Sequence, residues 1–226
     1  INLDYGNATV SGTWTHVFSK KVFSNFTGTY SRYFSTPDIS IENTTFEREN
    51  IVEDLSLKGD LEYVLNKKHS LKAGFWAGNL DYEIQERFDG MDTFQEFNTG
   101  NYGSVYLQEI WRPTSLWKFT AGVRANYFSA GDYMRYEPRA AIEYIYSRDM
   151  LFQLAYGRYY QFLTLVSNEA FTAFDTWLTV DDGVPPSYGD QFVFGFKNRL
   201  NESWKFDTEV YYRTMRDLIR IDPVLS

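Results

Sequence analysis

The chain has no cysteine among its 226 residues and only two histidines. Without cysteine it forms no disulfide bond, offers no thiolate nucleophile and holds no cysteine-ligated metal. Long apolar runs are missing too, since none exceeds three residues, whereas a membrane-spanning helix needs about 20. The sequence therefore excludes a bundle of transmembrane helices.

Positive charge is also scarce. The chain has 22 Lys and Arg against 30 Asp and Glu, which gives a net charge of -8, and no stretch is rich in basic residues. Proteins that bind nucleic acid carry a basic footprint that neutralises phosphates. We therefore expect no nucleic-acid partner.

Aromatic residues, in contrast, are abundant at 19% of the chain, and apolar residues alternate with polar or small ones. In residues 117–127 every second side chain is apolar. Successive side chains of a strand point to opposite faces, so this pattern predicts a strand with one apolar and one polar face. The same alternation predicts ten strands, at residues 8–18, 22–34, 50–64, 69–87, 102–111, 116–128, 136–146, 150–161, 190–200 and 203–213.

The predicted connections alternate between short turns and long polar loops. The turns lie near residues 19–21, 65–68, 112–115, 147–149 and 201–202, and the loops at 35–49, 88–101, 129–135 and 162–189. All turns therefore fall at one end of the sheet and all loops at the other. An eleven-residue strand such as 117–127, tilted by about 40°, rises roughly 25 Å, which is the height of the apolar band of an outer-membrane barrel.

Aromatic side chains gather at both ends of these strands. Near the turns lie Phe18, Phe23, Trp111, Trp117, Tyr146, Phe152 and Trp204, and near the loops lie Tyr30, Tyr33, Phe34, Tyr127, Phe128, Tyr159, Tyr160, Tyr211 and Tyr212. Two aromatic girdles and an alternating wall predict an all-β fold, an antiparallel transmembrane β-barrel. Phe206 is then expected on the lipid face near the midplane, and Asp207 on the lumen face. A soluble β-sandwich or up-and-down barrel remains an alternative, although neither gives the aromatic ends a physical reason.

Several segments resemble a known family. Residues 136–144, 154–161 and 210–219 resemble the later barrel strands of TonB-dependent outer-membrane transporters, and residues 105–113 with 119–124 resemble an earlier hairpin of the same barrels. The resemblance extends over most of the chain and is strongest to large Bacteroidetes-type receptors. Each segment alone is a degenerate strand pattern, and it is their order that is specific.

The resemblance implies a 22-stranded barrel in the outer membrane of a Gram-negative cell, with an N-terminal plug domain. Such a receptor imports a scarce or bulky nutrient, namely a siderophore, cobalamin, a glycan or a peptide. With about ten strands and no plug in the sequence, residues 1–226 are interpreted as a partial outer-membrane β-barrel domain. The expected partners are outer-membrane lipid, the TonB complex through the plug region, a surface lipoprotein and the imported substrate.

Catalysis is not expected. His16 precedes the first turn and His69 follows the second, which places both far from the long loops. Without a general base beside a nucleophile no hydrolytic site is predicted, and the sequence indicates no metal and no cofactor. A self-contained outer-membrane barrel acting as a porin or surface protease, and a soluble β-rich binding or adhesion protein, stay open as alternatives.

The loop at 162–189 is the strongest candidate for a binding segment. It is long and rich in apolar residues, and such a loop usually binds a ligand or folds over the lumen. Packing against neighbouring loops is an equally good explanation. The candidate substrate-binding residues in it are Phe171, Phe174 and Trp177.

Overall fold

The computed structural model describes residues 2–42, 44–166 and 176–219. Within these ranges the chain is all-β and antiparallel, as predicted. The strands are β1 (Asn2–Ser19), β2 (Val22–Ile41), β3 (Thr44–Val64), β4 (His69–Phe88), β5 (Met91–Trp111), β6 (Trp117–Phe128), β7 (Tyr133–Ile145), β8 (Met150–Gln161), β9 (Leu163–Val166), β10 (Thr176–Thr179), β11 (Ser187–Arg199) and β12 (Lys205–Arg216). None of the described residues forms a helix long and apolar enough to cross a membrane, a result that concerns helices alone.

Ten of the strands form one sheet in the order β1-β2-β3-β4-β5-β6-β7-β8-β11-β12. Each long strand therefore pairs with the next long strand along the chain, which is the meander that a barrel wall requires. Within the described residues β1 and β12 are the sheet edges, so this wall is not closed. Among the described residues the short strands β9 and β10 pair with each other and not with the ten-stranded sheet, in the connection between β8 and β11.

Two of the short turns at one end are stabilised by asparagine side chains. Asn66 Oδ1 accepts hydrogen bonds from the backbone N–H of Lys68 at 2.8 Å and of His69 at 3.1 Å. Asn201 Oδ1 accepts in the same way from the N–H groups of Ser203 and Trp204, both at 2.9 Å. An Asn that bonds to the backbone two or three residues on stabilises a tight reversal. The connections predicted to be short are therefore short.

Two of the four connections predicted to be long loops are instead strands. Residues 35–49 and 88–101 extend β2, β3, β4 and β5, and the hairpin between β4 and β5 turns at Asp89 and Gly90. Both turn residues have positive φ, 50° and 77°, as an Asp-Gly hairpin turn requires. The prediction of loops was wrong because it required apolar residues to stay on one face of the sheet. In these segments the apolar residues move to the other face, but the backbone hydrogen bonds that pair the strands continue.

The register separates an apolar face from a polar one. Ile142, Leu154, Phe194 and Val210 lie side by side on four neighbouring strands. Leu154 is 55% exposed and Val210 62% exposed. A continuous exposed apolar surface is unfavourable in water and fits contact with lipid, so we call this side the lipid face and the opposite side the inner face.

The inner face carries ion pairs instead of apolar rows. Lys118 Nζ lies 2.5 Å from Glu143 Oε1, and Lys197 Nζ lies 3.0 Å from Asp207 Oδ2. Asp207 is thus on the inner face, as predicted. Phe206 is the second residue of β12, beside the last short turn. Its predicted place near the membrane midplane is therefore wrong. The depth of a residue in the membrane depends on its position along the strand and not on the face to which it points.

Candidate functional site

The apolar side of β4 changes along the strand. From Leu71 to Ala77 the lipid-face positions of β4 are apolar, whereas beyond them Leu80, Tyr82 and Ile84 lie on the inner face and are buried. Ten residue steps separate His69 from Asn79, and at about 3.3 Å each with a tilt near 40° they cover roughly 25 Å. The strands therefore leave the apolar band near Asn79, and beyond it the inner face is the side that packs.

The partner strand β3 changes side at the same level. Leu55 and Leu57 lie on the lipid face, whereas Val52 lies on the inner face opposite Tyr82. The outward positions above this level are charged or polar except for Ile51, and they include Glu47, Glu49, Glu53, Asp81, Glu83, Gln85 and Arg87. Water contacts such an outer face, so the upper part of the sheet forms a small core on its inner face.

The connection between β8 and β11 folds onto that core. Val180 is fully buried against it, and the Phe162 ring stacks on the Phe128 ring with centroids 5.5 Å apart. Val180 N–H donates to the Phe162 carbonyl at 3.0 Å, and the Tyr133 hydroxyl donates to the Asp181 carbonyl at 2.9 Å. The β9–β10 hairpin is therefore held over the inner face at the long-loop end.

A cavity of about 490 Å³ lies between this hairpin and the strand wall. Trp76 and Tyr102 meet edge to face in its wall, with ring centroids 4.9 Å apart. The aromatic residues that line it are Tyr33, Trp76, Tyr102, Tyr127, Phe128, Tyr160, Phe162 and Trp177. Cavities of this size and apolar character hold small ligands or parts of larger ones.

A few polar groups are placed among these rings. The Tyr102 hydroxyl donates to Asp54 Oδ1 at 2.5 Å. Asn126 Nδ2 is buried and has no hydrogen-bond partner among the described residues. Burial raises the pKa of Tyr82, above the cavity, to about 12, so its hydroxyl stays protonated at neutral pH. An unpaired buried donor such as the Asn126 amide is costly, and an acceptor on a ligand would satisfy it.

Trp177 is the one predicted site residue within the described part of the chain, and it lies in β10 as a partly buried member of the cavity lining. Phe171 and Phe174 lie outside the described residues. Sequence reasoning missed Trp76, Tyr102 and Phe128. Their signal in the sequence is that each is an aromatic residue at an even position, on the face opposite to the apolar odd positions of the same strand, such as Phe75, Val105 and Val123.

The two histidines lie at the short-turn end, as predicted. His16 stacks on Trp14 and meets Phe18 edge to face, and His69 Nδ1 lies 2.7 Å from Glu109 Oε1. Neither is near the cavity. Among residues 2–42, 44–166 and 176–219 no group of three or more His, Asp and Glu side chains is arranged to hold a metal ion.

We expect the β4–β5 turn to respond to acid. The hydrogen bond from Arg87 Nε to Asp92 Oδ1, 2.8 Å long, lowers the pKa of Asp92 from its model-compound value of 3.8. A carboxyl with a depressed pKa stabilises the folded turn above its unfolded pKa, and this contribution is lost as pH falls through the folded pKa. An NMR titration should therefore place the Asp92 midpoint below 3.8.

The matched variants for this titration are at Arg87. Arg87→Gln removes the ion pair and should return the Asp92 midpoint to its ordinary range, whereas Arg87→Lys, which keeps the charge, should give an intermediate value. The same midpoint in all three proteins would contradict the assigned cause.

The whole chain matches a known family. The family model described as TonB dependent receptor-like, beta-barrel, covers residues 1–226. No sequence among the curated proteins matches the chain. Neither the family model nor the solved structures single out Bacteroidetes-type receptors, so that part of the sequence prediction is not confirmed.

Solved structures share the fold at low identity. The ferric yersiniabactin uptake receptor FyuA from Yersinia pestis superposes with a TM-score of 0.70 and 11% identity, over 95% of this chain and 36% of that one. The copper transporter OprC gives 0.68 and 11%, over 95% and 39%. The RagAB peptide transporter gives 0.60 and 13%, over 98% and 32%. This chain therefore spans between 32% and 39% of the length of these structures.

The family match also bears on the alternatives left open by the sequence. It favours the membrane barrel over a soluble β-protein, and the family is one of receptors and transporters, not enzymes. The exposed apolar face agrees with it. The chain belongs to the TonB-dependent receptors of the Gram-negative outer membrane, and its ten long strands are part of their β-barrel.

Proposed function

We propose that this barrel imports a scarce or bulky nutrient, namely a siderophore, cobalamin, a glycan or a peptide, and captures it at the long-loop end. The observation that supports the proposal is the aromatic cavity between the β9–β10 hairpin and the strand wall. Its rings offer flat apolar faces for a ring-bearing ligand, and the Asn126 amide offers a donor. Convergent polar groups in an aromatic cavity are typical of binding sites.

The related structures support the import of such ligands. They are a ferric yersiniabactin uptake receptor, a copper transporter and a peptide transporter. The proposal includes the partners that membership of the family implies for the whole protein. These are the TonB complex, reached through a plug region, and a surface lipoprotein over the long-loop end.

The test is uptake by cells that depend on this protein. Trp76→Ala removes one wall of the cavity, and the loss of a buried aromatic contact typically weakens binding by at least about 2 kcal/mol. We expect the nutrient concentration that supports half-maximal growth to rise at least tenfold. Growth is measured with a ferric siderophore, cobalamin, an oligosaccharide or a peptide mixture as the limiting nutrient, in strains with and without the TonB complex.

Trp14→Ala is the matched control, because Trp14 is also exposed on the sheet but stacks on His16 at the short-turn end. It should grow like the wild type. Equal growth of the deletion strain and the wild type on all four nutrients would contradict import. A defect that persists without the TonB complex would contradict the proposed partner.

A further inference from the structure

The ladder of backbone pairs between β7 and β8 ends earlier than the ladders beside it. Its last pair joins Arg139 to Gly157. Beyond that pair β7 stays paired with β6 along residues 133–138, and β8 stays paired with β11 along residues 158–161. We call the gap between these two segments the β7–β8 split. Both strands lie inside the sheet, between β6 and β11, so the split does not arise from an edge of the sheet.

A proline accounts for the end of this ladder. The Tyr160 N–H points towards β7, where the Glu137 side chain accepts it. In an antiparallel pair the N–H groups of alternate residues point to the same neighbouring strand, so the next pair that exchanges two hydrogen bonds would join Arg158 to Pro138. Proline has no N–H to donate. That pair therefore lacks one of its two hydrogen bonds, and the ladder ends beside it.

Side chains of β7 bridge the split in place of the backbone. Glu137 Oε1 accepts the Tyr160 N–H at 2.9 Å, and Glu137 Oε2 accepts from Arg139 Nη2 at 2.8 Å. The Arg139 guanidinium lies 4.9 Å from the centre of the Tyr159 ring, and the Arg135 guanidinium lies 6.0 Å from that of Tyr160. These contacts hold two residues of β8 that have no pair on β7.

The Glu137 carboxylate is the central contact of the split. Glu137 is only 5% exposed, and both of its oxygens accept hydrogen bonds. A buried carboxylate is unfavourable unless it is paired and hydrogen-bonded, so its two donors fix it in one position. Bonds to a charged acceptor are also stronger than those between neutral groups. Loss of this carboxylate would leave the Tyr160 N–H without its acceptor.

Tyr160 connects the split to the cavity. Its side chain lines the cavity, as does the side chain of Phe162, whose ring stacks on Phe128. The Phe162 carbonyl accepts the Val180 N–H at 3.0 Å, which joins the two sides of the β9–β10 hairpin. The position of Tyr160 therefore determines where the hairpin begins to cover the core.

We infer that Glu137 is a positioning residue for the cavity and acts through Tyr160. Its carboxylate replaces the backbone pair that Pro138 interrupts, and it holds the start of the β8–β11 connection against the core. A single side-chain contact opens more readily than a ladder of backbone pairs, so the hairpin is released locally while the wall stays folded. The inference rests on the proposed function, since it describes how that cavity opens for its ligand.

The test measures this opening directly and needs no nutrient. Val180 is fully buried beneath the hairpin, so Val180→Cys, in the complete protein with no other cysteine, reacts with a water-soluble maleimide only when the hairpin opens. Glu137→Ala removes the acceptor of the Tyr160 N–H and should raise the labelling rate about tenfold. Glu137→Gln, which keeps one acceptor oxygen, should give an intermediate rate and serves for the comparison if the alanine variant does not assemble.

Pro138→Ala provides a rescue, because it restores the missing N–H. Combined with Glu137→Ala, it allows the ladder to extend to Arg158 and should return the labelling of Val180→Cys to nearly the original rate. A general loss of stability at position 137 would not be repaired by a donor at position 138. A double variant that is labelled as fast as Glu137→Ala alone would overturn the inference that the carboxylate replaces a backbone pair.

Glu143→Ala is the matched control, since Glu143 lies on the same strand and face and pairs with Lys118, but its neighbours keep the ladder to β8. It should leave the labelling rate unchanged. Ser24→Cys, at a position only 3% exposed near the short-turn end, verifies folding and should stay unlabelled in every variant. Equal labelling of Val180→Cys with and without Glu137→Ala would overturn the role of Glu137. It would leave the import proposal intact, because uptake is measured separately.

Discussion

Leu154→Arg is expected to prevent assembly of the protein in the outer membrane. Leu154 is the fifth residue of β8, between Ile142 and Phe194 on the lipid face, and it is 55% exposed. Arginine on the lipid face of a barrel near the midplane costs about 2–4 kcal/mol. A loss of this size is a large part of the stability of a typical domain, so folded receptor should be strongly depleted from the outer-membrane fraction.

Gln153→Arg is the matched control for depth. Gln153 precedes Leu154 on the same strand but lies on the inner face, opposite Glu143 and Gly195. An arginine there faces a carboxylate and the aqueous side of the wall, so the amount of assembled protein should stay near the wild-type level. Both amounts are measured by immunoblotting of outer-membrane fractions. Equal depletion by the two variants would show that β8 does not separate a lipid face from an inner face.

The long strands were predictable because lipid and the inner face impose different polarity on alternate residues. This holds from Leu71 to Ala77 in β4, where the lipid-face residues are all apolar. It fails beyond Asn79, because the apolar side switches from outside to inside and the alternation no longer points to one face. The extensions of β2–β5 were therefore predicted as loops, although their backbone hydrogen bonds continue to the Asp89–Gly90 turn.

The site was less predictable than the wall. Trp177 was a candidate because a large apolar residue in a long polar loop needs a partner. Its neighbours in the cavity, Trp76 and Tyr102, lie far from it in the sequence, and alternation specifies their face but not which loop covers them. The strands β9 and β10 have four residues each, too few to establish a period. Phe171 and Phe174 remain predictions.

Glycines of the inner face allow tyrosines to cross a strand. Tyr106 of β5 pairs with Gly74 of β4, and its hydroxyl reaches past Gly74 to Asp60 of β3 at 2.5 Å. A Cβ at position 74 would lie 2.6 Å from the Tyr106 ring and 2.5 Å from the Gly59 carbonyl oxygen. One hydrogen bond thus ties three strands together, and it depends on the absence of a side chain at position 74.

Gly74→Ala should therefore destabilise the barrel by about 1–3 kcal/mol, the usual cost of overpacking. The Gly59 carbonyl belongs to the backbone of β3 and cannot move aside, so the methyl group displaces the Tyr106 ring and breaks its bond to Asp60. The free energy of unfolding is measured by guanidinium titration of the complete protein in lipid vesicles.

Gly28→Ala is the control, because nothing lies within 4 Å of a Cβ there. Since alanine restricts the unfolded chain more than glycine does, Gly28→Ala should be neutral or slightly stabilising. Equal stability of the two variants would mean that the Tyr106–Asp60 bond does not depend on the gap at Gly74.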